Sequence, residues 1–297
     1  MASPEAYLHG QRQRVEESLD KLLPVSDSYP PELMAAMRYS VFAGGKRLRP
    51  ILMLAAAEAV GGESADALPA ACALEYIHTY SMIHDDLPAM DDDDYRRGKL
   101  TSHKVFGEAM AILAGDALLT HAFEVLSAPS LVDRVAPELL LQVQSCLARA
   151  AGCFGMIGGQ VVDMQSEGQQ VELSVLEYIH RHKTGALITA AVVIGGLLGN
   201  GTPEQVRALQ QYGNDVGWAF QITDDILDVV GDAAVLGKDV GRDAEQDKVT
   251  YPALMGVDAS RQRALALMKQ GVEALVDFGP SADRLRQIAE YIVVRQM

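Results

Sequence analysis

Apolar residues recur at three- and four-residue spacing along nearly the whole chain, and alternation of the kind that marks strands is nowhere sustained. That period lines up one face of a helix. It predicts helices over 4–22, 31–43, 50–60, 64–87, 102–127, 132–166, 172–199, 203–230, 247–256, 258–277 and 281–295. Ala, Leu, Met, Gln and Glu fill these interiors, as helix propensity favours, and no convincing strand is found.

The breaks between the helices carry information. Gly44-Gly45 ends the second helix and Pro50 suits the first turn of the third, so Lys46, Arg47 and Arg49 fall on a short loop between two helix ends. Thr184 to Pro203 has no charge over 20 residues, the length of a membrane span. Gly185, Gly195 and Gly196 interrupt it and its apolar part ends near Gly199, which predicts a buried core helix and no membrane span. No linker, low-complexity tract or fixed-period repeat divides the sequence, so the expectation is a single all-α domain over 1–297. Acidic clusters at 85 and 224 each follow a long apolar helical pattern, an echo that suggests two helical halves around one cavity.

Composition narrows the function. With 297 residues, 49% of them hydrophobic, the chain can bury a large core and is not disordered. Asp and Glu total 40 against 25 Lys and Arg, a formal charge of −15 that argues against a nucleic-acid partner. Cys72, Cys146 and Cys153 form no CxxC pair and no secretory apolar region precedes them, so reduced thiols in a cytoplasmic protein are expected.

The acid is clustered: Asp85, Asp86 and Asp91 to Asp94 place six carboxylates in ten positions. Pro88 stops the helix just after Asp85 and Asp86, and the break lets Asp91 fold back beside Asp85. Asp224 and Asp228, at i and i+4, share a helix face without any break. Oxygen ligands without His or Cys select Mg2+ or Mn2+ over zinc and point to polyphosphate chemistry. Asp92, Asp93 and Asp94 read instead as solvated loop carboxylates, and the D-x-D-x-D-G pattern of a calcium loop is missing. Cations interrupt the acidity at Lys46/Arg47/Arg49, at Arg96/Arg97 and at Lys183, Lys238 and Lys248, where they would meet phosphate.

Gly44-Gly45-Lys46-Arg47-Leu48-Arg49-Pro50, Asp85-Asp86-x4-Asp91 with Arg96-Arg97-Gly98, Lys183-Thr184-Gly185, and Phe220-Gln221-x2-Asp224-Asp225-x2-Asp228 resemble, in order and spacing, the trans-prenyltransferases, and within them the bacterial farnesyl diphosphate synthases. The resemblance implies an all-α isoprenoid-synthase fold and a homodimer. It implies that Asp85, Asp91 and Asp224 hold three Mg2+ on an allylic diphosphate, dimethylallyl or geranyl, which Arg96, Lys183, Lys238 and Lys248 also contact. It implies that Lys46, Arg49, His78 and Arg97 bind isopentenyl diphosphate. Thr184 and Gln221 are candidates for stabilising the allylic cation that ionisation leaves. Tyr80 and Ser81 precede Asp85 by five and four residues, about 6–7.5 Å down the helix. An aromatic at Tyr80 resembles the farnesyl type and implies a fifteen-carbon product. The chain departs from the usual pattern at Asp247, where such families carry a glycine before the lysine. A geranylgeranyl diphosphate synthase shares the chemistry with a deeper cavity. A terpene cyclase would not need Lys46, Arg49 and Arg97, and a noncatalytic partner subunit could lose one acidic motif, whereas this chain has both.

Overall fold

The computed structural model describes residues 3–230 and 248–294, so Lys238 and Asp247 lie outside the described residues. Its helices are α1 Pro4–Leu22, α2 Pro31–Val41, α3 Leu48–Ala59, α4 Ser64–Asp85, α5 Ser102–Phe106, α6 Glu108–Leu126, α7 Pro129–Val132, α8 Pro137–Ala151, α9 Met156–Ser166, α10 Leu173–Ile179, α11 Ala186–Leu198, α12 Pro203–Val230, α13 Tyr251–Met255, α14 Val257–Glu273 and α15 Asp283–Val293. A π-helical turn, His180–Gly185, joins α10 to α11, and a 3-10 segment, Val276–Ala282, precedes α15. The all-α expectation holds.

Three expected helices are interrupted. Gly107, at φ 83°, separates α5 from α6 within the expected 102–127. The expected 132–166 is split before Pro137 and again between Ala151 and Met156, where Gly152 and Gly155 stand. The expected 172–199 contains the π-helical turn. The absence of strands is also corrected: β1 Tyr95–Arg96 and β2 Lys99–Leu100 form a small antiparallel hairpin, pairing Tyr95 with Leu100. Two residues per strand are too few for alternation to show in a sequence. The Tyr39 hydroxyl on α2 donates to the Leu100 carbonyl at 2.7 Å and fastens the hairpin.

Contacts gather the chain into two compact units, Met1–Ile51 with Leu68–Leu140, and Leu52–Ala67 with Leu141–Met297. The first is built on Val15, Leu19, Met37, Val41, Leu74, Ile77, Leu118 and Ala122, all buried. Each such Leu, Ile or Val contributes about 1.5–3 kcal/mol by leaving water. Within this core the Tyr76 hydroxyl donates to the Leu19 carbonyl at 3.0 Å. The second unit is built on Leu52, Met53, Ile188, Val192, Ile194, Val216, Ile222, Ile226, Leu267 and Ile288, with the Tyr212 hydroxyl donating to the Leu285 carbonyl at 2.7 Å. A Cβ at Gly195 would collide with the Met53 carbonyl, so glycine lets α11 close on α3.

The uncharged stretch from Thr184 begins in the π-helical turn and runs on as α11, largely buried, as the sequence predicts. Two other helical stretches, Glu108–Val132 and Pro137–Ser166, are long and apolar enough to cross a membrane by length and composition, with 44% and 39% of their most apolar windows buried.

Candidate functional site

In the first unit, α4 ends at Asp85 and the chain reverses through Pro88. The Asp91 N–H donates to the Asp85 carbonyl at 2.9 Å, and the Asp92 N–H to the Leu87 carbonyl at 3.2 Å. The break that Pro88 announces therefore does bring Asp91 back to Asp85. Both carboxylates are half-buried, and with oxygen as the only donor type they suit Mg2+.

The other acids of this run divide. Asp86 is buried and accepts from Arg96 Nε at 2.6 Å; burial pushes its carboxyl up to about 6 even though Arg96 opposes the shift. Asp93, expected in solvent, is buried, with Arg96 Nη2 at 3.5 Å. Asp92 and Asp94 are exposed as expected, and their oxygens and a His103 nitrogen lie within 4.8 Å of one another, with the Lys104 ammonium 2.7 Å from Asp94.

The basic loop faces this region of the same unit. Gly44 and Gly45 take φ of 103° and 131°, which side chains rarely tolerate. Arg97 lays its guanidinium over them: Nη1 donates to the Gly44 carbonyl, and a Cβ at Gly45 would collide with it. Lys46 is exposed and Arg49 half-buried. Arg49 Nη1 donates to His78 Nε2 at 3.4 Å, which fixes the neutral His78 tautomer with its proton on Nδ1. Burial, aided by Arg49, Arg97, Arg96 and Arg47, holds the His78 imidazole well below its usual range. A pocket of about 40 Å3 is lined by His78, Asp86, Arg96 and Arg97 together with Tyr39 and Met82. Arg47 does not join the outward cations with which the sequence groups it; it turns inward and is 3% exposed.

Below the acidic run on α4, Tyr80 is 5% exposed, its ring edge-on to His84 at 5.7 Å and its hydroxyl without a partner among the described residues. The Ser81 hydroxyl bonds back to the His78 carbonyl at 2.8 Å.

In the second unit a pocket of about 110 Å3 brings together Lys183, Thr184, Gln221 and Lys248, four of the residues singled out from sequence. Lys183 and Thr184 stand on the π-helical turn, a geometry enriched at functional positions. A Cβ at Gly159 would collide with the Lys183 main chain, so glycine lets α9 lie against this turn. Lys183 Nζ pairs with Asp163 on α9 at 2.6 Å. The Thr184 hydroxyl donates to Gln221 Oε1 at 2.8 Å, and Gln221 Nε2 donates to Asp225 Oδ1 at 3.0 Å. Asp225, 3% exposed, also accepts from the Tyr251 N–H at 2.9 Å and lies 3.3 Å from His180 Nε2. Asp224 is half-buried on α12, one turn before buried Asp228. Asp163 and His180 were given no role from sequence, and Asp225 was named there only as part of the Asp224-Asp225-x2-Asp228 motif. Only Asp225 left a signal there, four residues after Gln221 on the same helix. A larger cavity of about 720 Å3 in this unit, lined by Arg149, Arg181, Arg263 and Trp218, includes Gly185 of the Lys183-Thr184-Gly185 motif but none of the expected metal, diphosphate or cation-stabilising residues.

A family model described as Polyprenyl synthetase matches residues 30–277. The chain is 45% identical over 293 residues to the farnesyl diphosphate synthase of Geobacillus stearothermophilus, covering 99% of this chain and 98% of that one. It is 46% identical over 295 residues to the heterodimeric geranylgeranyl pyrophosphate synthase large subunit 1, chloroplastic, of Arabidopsis thaliana, covering 98% and 79%. Its structure matches that of geranylgeranyl pyrophosphate synthetase from Pyrococcus horikoshii with a TM-score of 0.88 at 32% identity, over 98% and 99% of the two chains.

Proposed function

Because this chain belongs to the polyprenyl synthetase family and is a short-chain trans-prenyltransferase that condenses isopentenyl diphosphate with allylic diphosphates, we propose that its product is farnesyl diphosphate. The observation that carries this reading is Tyr80: a buried aromatic on α4, about 7.5 Å along the helix from Asp85, sets a floor under a growing chain.

In this reading Asp85, Asp91 and Asp224 hold Mg2+, which when bound neutralises the allylic diphosphate and stabilises the pyrophosphate that leaves. Arg96, Lys183, Lys238 and Lys248 bind that diphosphate. Thr184 and Gln221 present oxygens to the allylic cation, and the network through Asp225 keeps the Gln221 amide oxygen turned toward Thr184. Lys46, Arg49, His78 and Arg97 bind isopentenyl diphosphate and aim its double bond, an orientation effect that can reach about 7–11 kcal/mol. The departing pyrophosphate takes the proton lost in the final elimination.

A homodimer belongs to the same reading, since Ile112 and Leu113 on α6 stand 44% and 53% exposed and a second copy would cover them. A cytoplasmic location agrees with three unpaired cysteines.

The test is incubation of purified protein with isopentenyl diphosphate, each allylic diphosphate and Mg2+, followed by product chromatography. A fifteen-carbon main product is expected. A twenty-carbon one would assign a geranylgeranyl diphosphate synthase, the activity named for several relatives, and no Mg2+-dependent elongation would overturn the reading altogether.

A further inference from the structure

We infer that Arg47 and Glu75 are positioning residues for isopentenyl diphosphate, a buried ion pair that fixes the loop carrying Lys46 and Arg49. The inference rests on the reading that Lys46, Arg49, His78 and Arg97 receive that substrate.

The Arg47 guanidinium is engaged from within at each of its three nitrogens. Nη1 donates to Glu75 Oε1 at 2.8 Å, Nη2 to the Val41 carbonyl at 2.6 Å and Nε to Glu16 Oε1 at 3.3 Å. Arg47 and Glu75 are each 3% exposed. Buried and held at all three nitrogens by acceptors of the fold, Arg47 is turned away from an anion arriving from solvent, so its part at a diphosphate site is geometric.

Two observations tie that geometry to Lys46 and Arg49. Arg47 has φ 52°, a left-handed conformation sparsely populated by residues other than glycine and kept only where the surroundings impose it. This kink turns the chain out of Gly44-Gly45 and directly follows Lys46. The Arg47 carbonyl also accepts the Ile51 N–H at 3.1 Å, so Arg47 begins the helix whose first turn holds Arg49.

Glu75 and His78 stand three residues apart on one face of α4. That face meets the loop at two rungs, Arg47 on Glu75 and Arg49 on His78. Glu75 also bears on Arg97: burial lowers the hold of Arg97 on its proton and the Glu75 charge offsets this. Buried ion pairs add little net stability, and their best-attested use is to specify one arrangement.

Charge and positioning predict opposite signs, which makes the inference testable. Glu75→Gln removes a negative charge beside a site for a diphosphate. If the carboxylate acted only through its charge, the KM for isopentenyl diphosphate would fall. If it holds the loop, that KM rises by roughly tenfold or more, the KM for geranyl diphosphate stays within twofold, and Glu75→Asp recovers part of the loss. Arg47→Lys, which retains the charge and loses the fork, should show the same split and serves if Glu75→Gln does not fold. Lys46→Ala is the control for the underlying reading: an unchanged KM for isopentenyl diphosphate would overturn that reading and the inference with it. A raised KM in Lys46→Ala with an unchanged or lowered one in Glu75→Gln or Arg47→Lys would overturn the positioning role alone. A uniform rise in both KM values would reduce the pair to a general structural contact.

Discussion

The Asp91 amide donates to the Asp85 carbonyl across 2.9 Å, so two acids six residues apart are brought together by a main-chain bond that helix continuation would forbid. If these two carboxylates hold metal, Asp85→Asn should lower kcat by roughly 10²–10³-fold, the scale seen when one group stabilising a developing charge is lost. Excess Mg2+ should restore part of the rate. A variant that kept normal kcat and Mg2+ dependence would remove Asp85 from the metal site.

Tyr80 supplies the test of product length. Tyr80→Ala should shift the products to twenty carbons or more, because it clears space below the acidic run, while consumption of isopentenyl diphosphate continues. A product mixture that remained at fifteen carbons would place the floor elsewhere.

Gln221 is held by Thr184 on one side and Asp225 on the other. Gln221→Leu leaves the Asp225 carboxylate short of a donor and the Thr184 hydroxyl short of an acceptor, a cost of about 1–3 kcal/mol. That cost should lower the denaturation midpoint, and loss of the amide oxygen offered to the allylic cation should separately lower kcat against an allylic diphosphate. Unchanged turnover would reduce the network to packing.

His78 gives a pH dependence with a definite sign. In the folded chain its imidazole loses protons far more readily than in the unfolded chain, where it titrates near about 6.5. Below that pH the unfolded state binds a proton that the folded state refuses, so stability falls as pH drops from about 6.5 toward the folded value and is untouched above it. Denaturant titrations between pH 5 and 8 should show this limb, and His78→Gln should flatten it. An NMR titration placing the folded His78 near about 6.5 would contradict the burial argument.

The cysteines differ by burial. Burial pushes the Cys72 thiol up to about 12 and that of Cys146 up to about 11, whereas Cys153 is exposed. Iodoacetamide should label the native protein at Cys153 first, and Cys153→Ser should remove the fast phase. Fast labelling of Cys72 would mean that the first unit opens locally.

Much of the candidate site was legible because proline, glycine and charge act locally. Pro88 announced the reversal that joins Asp91 to Asp85, and Gly44-Gly45 announced the basic loop. The pockets holding Lys183, Thr184, Gln221 and Lys248 in one unit, and His78, Arg96 and Arg97 in the other, collect residues named from sequence. What was hidden depended on direction and distance. Nothing in Lys46-Arg47-Leu48-Arg49 says that the second cation turns inward, since that follows from a left-handed φ and from Glu75, 28 positions away. Asp93 looked solvated because neighbouring acids repel one another, yet Arg96 supplies the partner that permits its burial. The breaks at Gly107 and between Ala151 and Met156 were obscured because apolar periodicity continues across them.

The π-helical turn at His180–Gly185 bears on how such a site can change through descent. A π turn carries one residue more than its α-helical counterpart, and deleting that residue would restore ordinary hydrogen bonding. Because the wider turn takes up the extra residue, such a deletion would leave Leu187, Ile188, Ala191 and Ile194 on the core they now fill and would redirect only the side chains of the turn itself. A lineage can therefore gain or lose the turn by a single residue without rebuilding the buried face beyond it. What the turn decides is the aim of Lys183 and Thr184, so descent can redirect these two side chains while the hydrophobic face of the next helix stays as it is.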